Sequence, residues 1–298
     1  MAIDRERLRA LLGLEEVGLL LRSVRAEERN GYRLERLTFE TCGGEMVRGL
    51  LTRPIELFSR APAIVYAHAH GGRYDIGAAE LIDGRPELMG PLASIFAHAG
   101  FVTLAIDMPT FGERATVTES AAAKAALWRG KSLFGRMLSE QAAAITYLAS
   151  RSDVLTSRIG MFGMSMGATL SYWLAAADPR LAAIAHLCCF ADFATLVETG
   201  AHDLHGIYLT VPGLLAATST GEMAGLVAPR PQLVCIGEDD PLTPRLAVDR
   251  GLVHLRAGYE EAGAARELRI FRQRGVGHME TPEMRDEVVH FLVRHLRG

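Results

Sequence analysis

One pentapeptide in this sequence has the residue types and spacing of a nucleophile on a sharp turn. Residues 163–167 read Gly-Met-Ser-Met-Gly, the pattern G-x-S-x-G, between an apolar run at 159–162 and a helix-forming stretch at 167–177. The glycines permit a turn at which larger side chains would collide with neighbouring backbone, and the serine lies where helix amides stabilise negative charge. The pattern alone is a weak signal, but this setting predicts that Ser165 is a nucleophile.

Two residue types that activate a serine hydroxyl follow further along the chain. The apolar run 232–236 precedes Asp239 and Asp240, and either carboxylate could orient a histidine; we favour Asp240 because Pro241 follows it. The run 268–271 leads to His278 in a glycine-flanked loop. We therefore predict Ser165 as nucleophile, His278 as general base and Asp240 as orienting acid. A helix N-cap is the alternative for the aspartate, and a structural hydrogen bond is the alternative for the histidine.

Attack on an acyl carbon also requires donors for the charge that develops on its oxygen. One donor should be the backbone amide of Met166, directly after the predicted nucleophile. The other should come from the loop after the run 63–67, where we predict the amide of His70, with Gly71 as second choice. For the histidine side chains of this loop, structural hydrogen bonds are the alternative.

The elements that must position these residues alternate between two kinds. Strand-like apolar runs occur at 63–67, 102–106, 159–162, 183–187, 232–236 and 268–271, and helical patterns occur at 87–99, 139–150, 167–177, 244–262 and 282–297. Such alternation predicts an α/β fold with a doubly wound, mostly parallel sheet and helices on both faces. In these sheets ligands bind at the carboxyl ends of the strands, which is where the candidate residues lie.

The remaining segments predict a hairpin and an insertion around one domain. We expect an N-terminal helical segment at 1–30 and a single domain at 31–298, which opens with a strand pair at 32–41 and 47–52. Residues 192–222 form a lid-like insertion, in which His202, His205 and Tyr208 are predicted to line the substrate rim. A metal site at these histidines carries little weight because no further ligands cluster nearby, so no metal is predicted.

Composition excludes several classes of protein. The chain has 298 residues, 49% of them hydrophobic, and a net charge of −3, without the basic surface that a nucleic-acid partner requires. The charged N-terminus and the short apolar run at 17–21 predict neither a signal peptide nor a membrane span, and hence a cytoplasmic protein. Its four cysteines show no C-x-x-C spacing, so neither disulfides nor zinc is expected.

Taken together, these segments resemble the α/β-hydrolase superfamily and, within it, the branch of acetyl-xylan-esterase-like and dienelactone-hydrolase-like proteins. The resemblance spans about residues 60 to 298 and is carried by 68–72, 107–114, 163–167, 237–244 and 277–278. It implies the chain order serine, aspartate, histidine, an eight-stranded sheet and an active site without a cofactor, and it supports Asp240 over Asp239. Two departures are Ala69, where the family commonly has glycine, and serine in place of the cysteine typical of dienelactone hydrolases.

The resemblance implies a serine hydrolase that cleaves a small-molecule carboxylic ester, of acetyl or another short acyl group, through an acyl-enzyme. A thioesterase or a dienelactone-type hydrolase is the first alternative. A serine peptidase and a non-catalytic binding protein on the same fold are further alternatives, since fold does not fix function. The physiological substrate stays open, as does the oligomeric state, with a homo-oligomer among the alternatives.

Overall fold

The computed structural model describes residues 3–298, which form one nine-stranded sheet in the order β1-β2-β3-β5-β4-β6-β7-β8-β9. The strands are β1 Leu19–Arg29, β2 Tyr32–Thr41, β3 Met46–Pro54, β4 Ala61–Ala67, β5 Val102–Ile106, β6 Val154–Met164, β7 Ala183–Leu187, β8 Gln232–Gly237 and β9 Leu268–Gln273. Strands β1, β2, β3 and β5 pair antiparallel to one another, and from β5 to β9 all pairs are parallel. The predicted doubly wound, mostly parallel sheet is therefore confirmed.

Eleven α-helices accompany the sheet within the described residues. They are α1 Arg5–Leu11, α2 Glu80–Asp83, α3 Ala93–His98, α4 Glu119–Trp128, α5 Leu133–Ser150, α6 Met166–Ala177, α7 Phe193–Thr199, α8 Leu214–Ala217, α9 Thr220–Gly225, α10 Arg245–Glu261 and α11 Pro282–Leu296. The helices predicted at 139–150, 167–177, 244–262 and 282–297 are confirmed. The helix predicted at 87–99 is shorter, because Gly90 has φ of 106° and Pro91 follows it, so α3 begins only at Ala93.

The N-terminal part of the chain corrects two expectations. The sequence predicts a helical segment at 1–30, of which residues 1–2 lie outside the described residues. From residue 3 to residue 30 only α1 is a helix, and β1 is a strand that makes the sheet nine-stranded rather than eight-stranded. Asn30 and Gly31, with φ of 48° and 81°, form the two-residue turn that joins β1 to β2. Strand β1 is exposed along nearly its whole length and pairs with β2 from Leu19 to Arg29. Backbone hydrogen bonds to β2, rather than a buried face, therefore keep β1 in the sheet. The division at residue 30 and the lid role of 192–222 stay predictions.

Both faces of the parallel sheet are covered by helices. One apolar cluster packs α1, α5 and α6 against the sheet, and a second cluster packs α3 and α11 against the opposite face. Strands β4, β5, β7 and β8 are buried along their whole length, as expected for strands covered on both sides. Between residues 3 and 298, no helix is long and apolar enough to cross a bilayer.

The parallel strands place the candidate loops together. Because β4, β6, β7, β8 and β9 run in the same direction, the loops after their last residues emerge at one edge of the sheet. The predicted oxyanion loop follows β4, Ser165 follows β6, Asp240 follows β8 and His278 follows β9. The insertion at 192–222 begins shortly after β7, between the strands that precede Ser165 and Asp240, and contains α7, α8 and the first half of α9.

Candidate active site

Ser165 occupies a strained turn between β6 and α6. Its φ is 57° and its ψ is −119°, a conformation that non-glycine residues rarely adopt and that persists only where the surroundings impose it. The surroundings here are close backbone contacts: a Cβ atom on Gly163 would collide with Gly167, and one on Gly167 would collide with the carbonyl of Ala67. The two glycines therefore let β4, β6 and α6 approach closely enough to hold Ser165 in this conformation.

The three backbone amides predicted as oxyanion donors are available to a ligand. Met166 is the first residue of α6, and the amides of a helix's first turn have no intrahelical acceptor. In the loop after β4, the amide of Ala69 donates to both carboxylate oxygens of Glu80 at 3.1 Å, and the amide of Gly72 donates to Nδ1 of His70 at 3.0 Å. Within the described chain the amides of His70 and Gly71 have no acceptor, so the loop leaves free the two predicted as oxyanion donors.

Asp240 and His278 form a close pair at the ends of β8 and β9. Nδ1 of His278 lies 2.7 Å from Oδ2 of Asp240, whose side chain is fully buried, while Asp239 is exposed. Since an ionised carboxylate only accepts hydrogen bonds, the neutral imidazole carries its proton on Nδ1, which leaves Nε2 with the free lone pair. The amide of Leu242 donates to the other carboxylate oxygen, Oδ1, at 2.9 Å and fixes its orientation.

The structure brings Ser165 to the same sheet edge as this pair without joining them by a hydrogen bond. Its amide donates to the carbonyl of Leu187 at 2.9 Å, and the Sγ of the next residue, Cys188, lies 3.5 Å from the carbonyl of Met279 beside His278. Between residues 3 and 298, neither the Ser165 hydroxyl nor Nε2 of His278 has a hydrogen-bond partner. The pairing of His278 with Asp240 is thus observed, and that of Ser165 with His278 stays a prediction.

A chain of ion pairs that no sequence pattern predicts connects the loop after β4 with the loop after β9. The guanidinium of Arg85 bonds Glu80 under the oxyanion loop at 2.8 Å and Glu87 beside His278 at 2.8 Å. Burial raises the pKa of Glu87, but the hydrogen bond from Arg85 and the positive charge of that guanidinium outweigh it, so the pKa is lowered. These carboxylates lie outside any motif, and only the fold reveals their role.

His70 contributes a side chain as well as an amide. Its Nε2 lies 2.5 Å from Oε2 of Glu119, the first residue of α4, and its ring stacks on Tyr208 with centroids 5.0 Å apart. Glu119 is not among the predicted site residues, because a glutamate at the start of an alanine-rich stretch is ordinary helix composition. The structure therefore contains a second histidine–carboxylate pair, at the loop that carries the predicted oxyanion amides.

The three predicted rim residues occupy two kinds of position. His202 and His205 line a cavity of about 780 Å³ within the insertion, whose other walls are mostly apolar side chains of residues 193–216. Nε2–H of His205 donates to the carbonyl of Leu242 at 2.9 Å, two residues along the chain from Asp240. Tyr208 is 3% exposed and lies beneath the rim against His70. Across residues 3–298, no group of three metal-ligating side chains forms a metal site.

Comparison with known proteins gives a family and a fold. The family model described as "Dienelactone hydrolase family" matches residues 47–191. A Bacillus subtilis (strain 168) protein named "Putative hydrolase YtaP" is 38% identical over 275 residues, which is 92% of this chain and 92% of that protein. A structure described as a "putative acetyl xylan esterase" from Bacteroides fragilis NCTC 9343 has a TM-score of 0.71 at 17% identity, covering 90% of this chain and 73% of that chain. The acetyl xylan esterase from Paenibacillus sp. R4 has a TM-score of 0.67 at 17% identity, covering 98% and 93%.

Proposed function

The chain belongs to the dienelactone hydrolase family and has the α/β-hydrolase fold, and from that premise we propose that it is a serine hydrolase of carboxylic esters. The observation that carries the proposal is the Asp240–His278 pair at 2.7 Å, two strands away from a serine held at φ of 57°. A strained serine at the start of a helix, free amides beside it and a basic imidazole at the same sheet edge are the components of acyl transfer.

In the proposed mechanism, Oγ of Ser165 attacks the carbonyl carbon of the ester while Nε2 of His278 takes its proton. We infer that these two atoms approach to hydrogen-bond distance in the reacting complex, since catalytic hydrogen bonds often tighten only there. Asp240 accepts from Nδ1 throughout, which keeps Nε2 basic and stabilises the imidazolium. The amides of Met166 and His70, with Gly71 as the alternative, bind the oxyanion.

Collapse of the tetrahedral intermediate releases the alcohol, which leaves with the proton from His278. The acyl group is then bound to Ser165 as an ester. Water repeats the sequence: it gives a proton to Nε2 of His278 and attacks the acyl carbon, and the proton returns to Ser165 as the acid leaves. The reaction consumes one water and needs only this chain's own residues.

The descriptions of the solved relatives support a choice of substrates for the first tests. One structure compared above is described as a putative acetyl xylan esterase and the other as an acetyl xylan esterase, so acetyl and other short acyl esters are the substrates to test first. The rim residues His202 and His205 would contact the part of the substrate that extends toward the insertion. A thioester would be attacked by the same geometry, and a substrate panel must therefore include one.

The test uses p-nitrophenyl esters of graded acyl length and one acyl thioester, with wild type and Ser165→Ala. We expect the wild type to turn over the short esters and Ser165→Ala to lose roughly 10⁴-fold or more in kcat, the scale seen when a serine nucleophile is removed. A fluorophosphonate probe should label the wild type and not the variant. Full turnover by folded Ser165→Ala would refute the proposal.

A further inference from the structure

The pair of His70 and Glu119 uses both nitrogens of its imidazole. Because the amide of Gly72 donates to Nδ1 at 3.0 Å, Nδ1 must be the acceptor, and the ring proton lies on Nε2. Nε2 therefore donates to Oε2 of Glu119 at 2.5 Å. A neutral imidazole bonded at both nitrogens has no free lone pair, so His70 cannot act as a base without leaving this position.

Glu119 is itself held in place by three elements. Its Oε1 accepts from the amide of Tyr208 in the insertion at 3.2 Å, and its Oε2 lies 3.3 Å from the hydroxyl of Tyr74. Its own backbone begins α4, capped by the side chain of Thr118. The carboxylate thus joins the loop after β4, the start of α4 and the insertion at one point.

The charge of Glu119 survives its burial. Its side chain is 6% exposed, and burial raises its pKa, but the hydrogen bonds from His70, Tyr208 and Tyr74 outweigh that effect, so the pKa lies below its usual value. An ionised carboxylate makes charge-assisted hydrogen bonds that are about twice as strong as neutral ones. The contact to His70 is therefore a strong anchor for the loop.

The peptide that carries the predicted oxyanion amide lies between two such anchors. On one side, Glu80 holds the amide of Ala69. On the other side, the ring of His70 is held by Glu119 and by the amide of Gly72. The direction in which the His70 amide points depends on both, and a misplacement of about 1 Å in such a donor can cost on the order of 100-fold in rate.

We propose that Glu119 is a positioning residue that acts through the imidazole of His70 to aim the His70 amide at the oxyanion. The inference rests on the proposed function, because it concerns the transition state of that same reaction. Through the amide of Tyr208, the same carboxylate ties the oxyanion loop to the insertion, so an ordered insertion and a formed oxyanion site go together.

The test compares Glu119→Ala, which removes the acceptor, with Glu119→Gln, which keeps an acceptor oxygen for Nε2–H. With a p-nitrophenyl ester that the wild type cleaves, we expect kcat to fall about 30-fold in Glu119→Ala and only a few-fold in Glu119→Gln, with KM within about 3-fold of wild type. Affinity for a trifluoromethyl ketone, which forms a tetrahedral adduct, should fall in parallel with kcat.

A double-mutant cycle separates this role from a general structural one. His70→Ala alone should lower kcat about as much as Glu119→Ala, and adding Glu119→Ala to His70→Ala should change kcat less than about 2-fold further. Asp75→Asn is the matched control, because Asp75 is an exposed carboxylate in the same loop and, among residues 3–298, forms an ion pair with Arg73 alone; its kcat should equal that of wild type. Near-UV circular dichroism checks that each variant is folded. If Glu119→Ala is unfolded, the test of the positioning role uses Glu119→Gln and its double-mutant cycle with His70→Ala instead.

Three results would overturn the inference. The first is a double variant whose loss in kcat is the product of the losses in Glu119→Ala and His70→Ala. The others are a change in KM without a change in kcat, and wild-type kcat in both Glu119 variants. Ser165→Ala is assayed in the same series to keep two failures apart. If Ser165→Ala retains full activity, the proposed function is wrong. If Ser165→Ala is inactive while the Glu119 variants behave as wild type, the serine mechanism stands and only the positioning role is wrong.

Discussion

Two histidine–carboxylate pairs lie in or against loops at the carboxyl ends of the parallel strands, and they differ in which ring nitrogen meets the carboxylate. His278 bonds Asp240 through Nδ1 at 2.7 Å and leaves Nε2 without a partner among residues 3–298. His70 bonds Glu119 through Nε2 at 2.5 Å, and its Nδ1 accepts from Gly72. The His278 ring can take a proton on Nε2 while Asp240 holds the ring, whereas both nitrogens of the His70 ring already have hydrogen-bond partners.

The difference shows that a histidine and a carboxylate at hydrogen-bond distance do not by themselves make a general base. A histidine acts as a general base only if the ring nitrogen that does not bond the carboxylate has a free lone pair. The groups around that nitrogen decide whether the lone pair is free. Location reinforces this division: His278 lies in a loop after β9, while His70 stacks between Tyr208 and the edge of Phe111. The same two residue types thus serve proton transfer in one region and loop geometry in the other.

The largest expected effect separates the two rings directly. His278→Ala removes the base, and we expect kcat to fall roughly 10⁵-fold, whereas His70→Ala keeps the backbone amide and should lose only about 10- to 100-fold. Steady-state kinetics with a short p-nitrophenyl ester measure both. Equal losses in the two variants would break the comparison, and a larger loss in His70→Ala would reverse it.

The next effect concerns the carboxylate of the first pair. Asp240→Asn should lower kcat about 10⁴-fold, because an amide in that position favours the wrong tautomer of His278. Asp239→Asn is the control next to it, and since Asp239 is exposed we expect less than about a 2-fold change. In a pH–rate profile, kcat of Asp240→Asn should stay below that of wild type at every pH. A large loss in Asp239→Asn would transfer the orienting role to the neighbouring carboxylate.

The first pair could be predicted from sequence because each residue follows a recognisable apolar strand. The strands at 159–162, 232–236 and 268–271 were found from their apolar runs, and parallel strands bring the residues after them to one edge. Glycines at 163 and 167 added the steric signal for a tight turn. Local pattern and fold class together were therefore enough to predict Ser165, Asp240 and His278 at one edge of the sheet.

The second pair could not be predicted, since Glu119 meets His70 across 49 residues and through no strand pairing. Strand β1 was missed for a different reason. Its charged residues suit an exposed helix equally well, although the Asn30–Gly31 turn was a readable hairpin signal in the sequence. Exposed strands and long-range polar contacts carry no apolar periodicity, so composition alone does not reveal them.

The smallest expected effect sharpens the comparison through stability. The pKa of Glu119 is lowered in the folded protein, so the carboxylate stabilises the fold above the ordinary glutamate pKa of 4.5, and this contribution is lost as pH falls through the folded value. Glu119→Gln should therefore lower the free energy of unfolding by about 1–2 kcal/mol at pH 7. Below the folded pKa of Glu119, the side chain of residue 119 is neutral in the wild type as well. The two proteins should then have nearly the same free energy of unfolding. Urea unfolding at a series of pH values measures it, and a difference that stays constant would mean that the charge of Glu119 does not hold this cluster together.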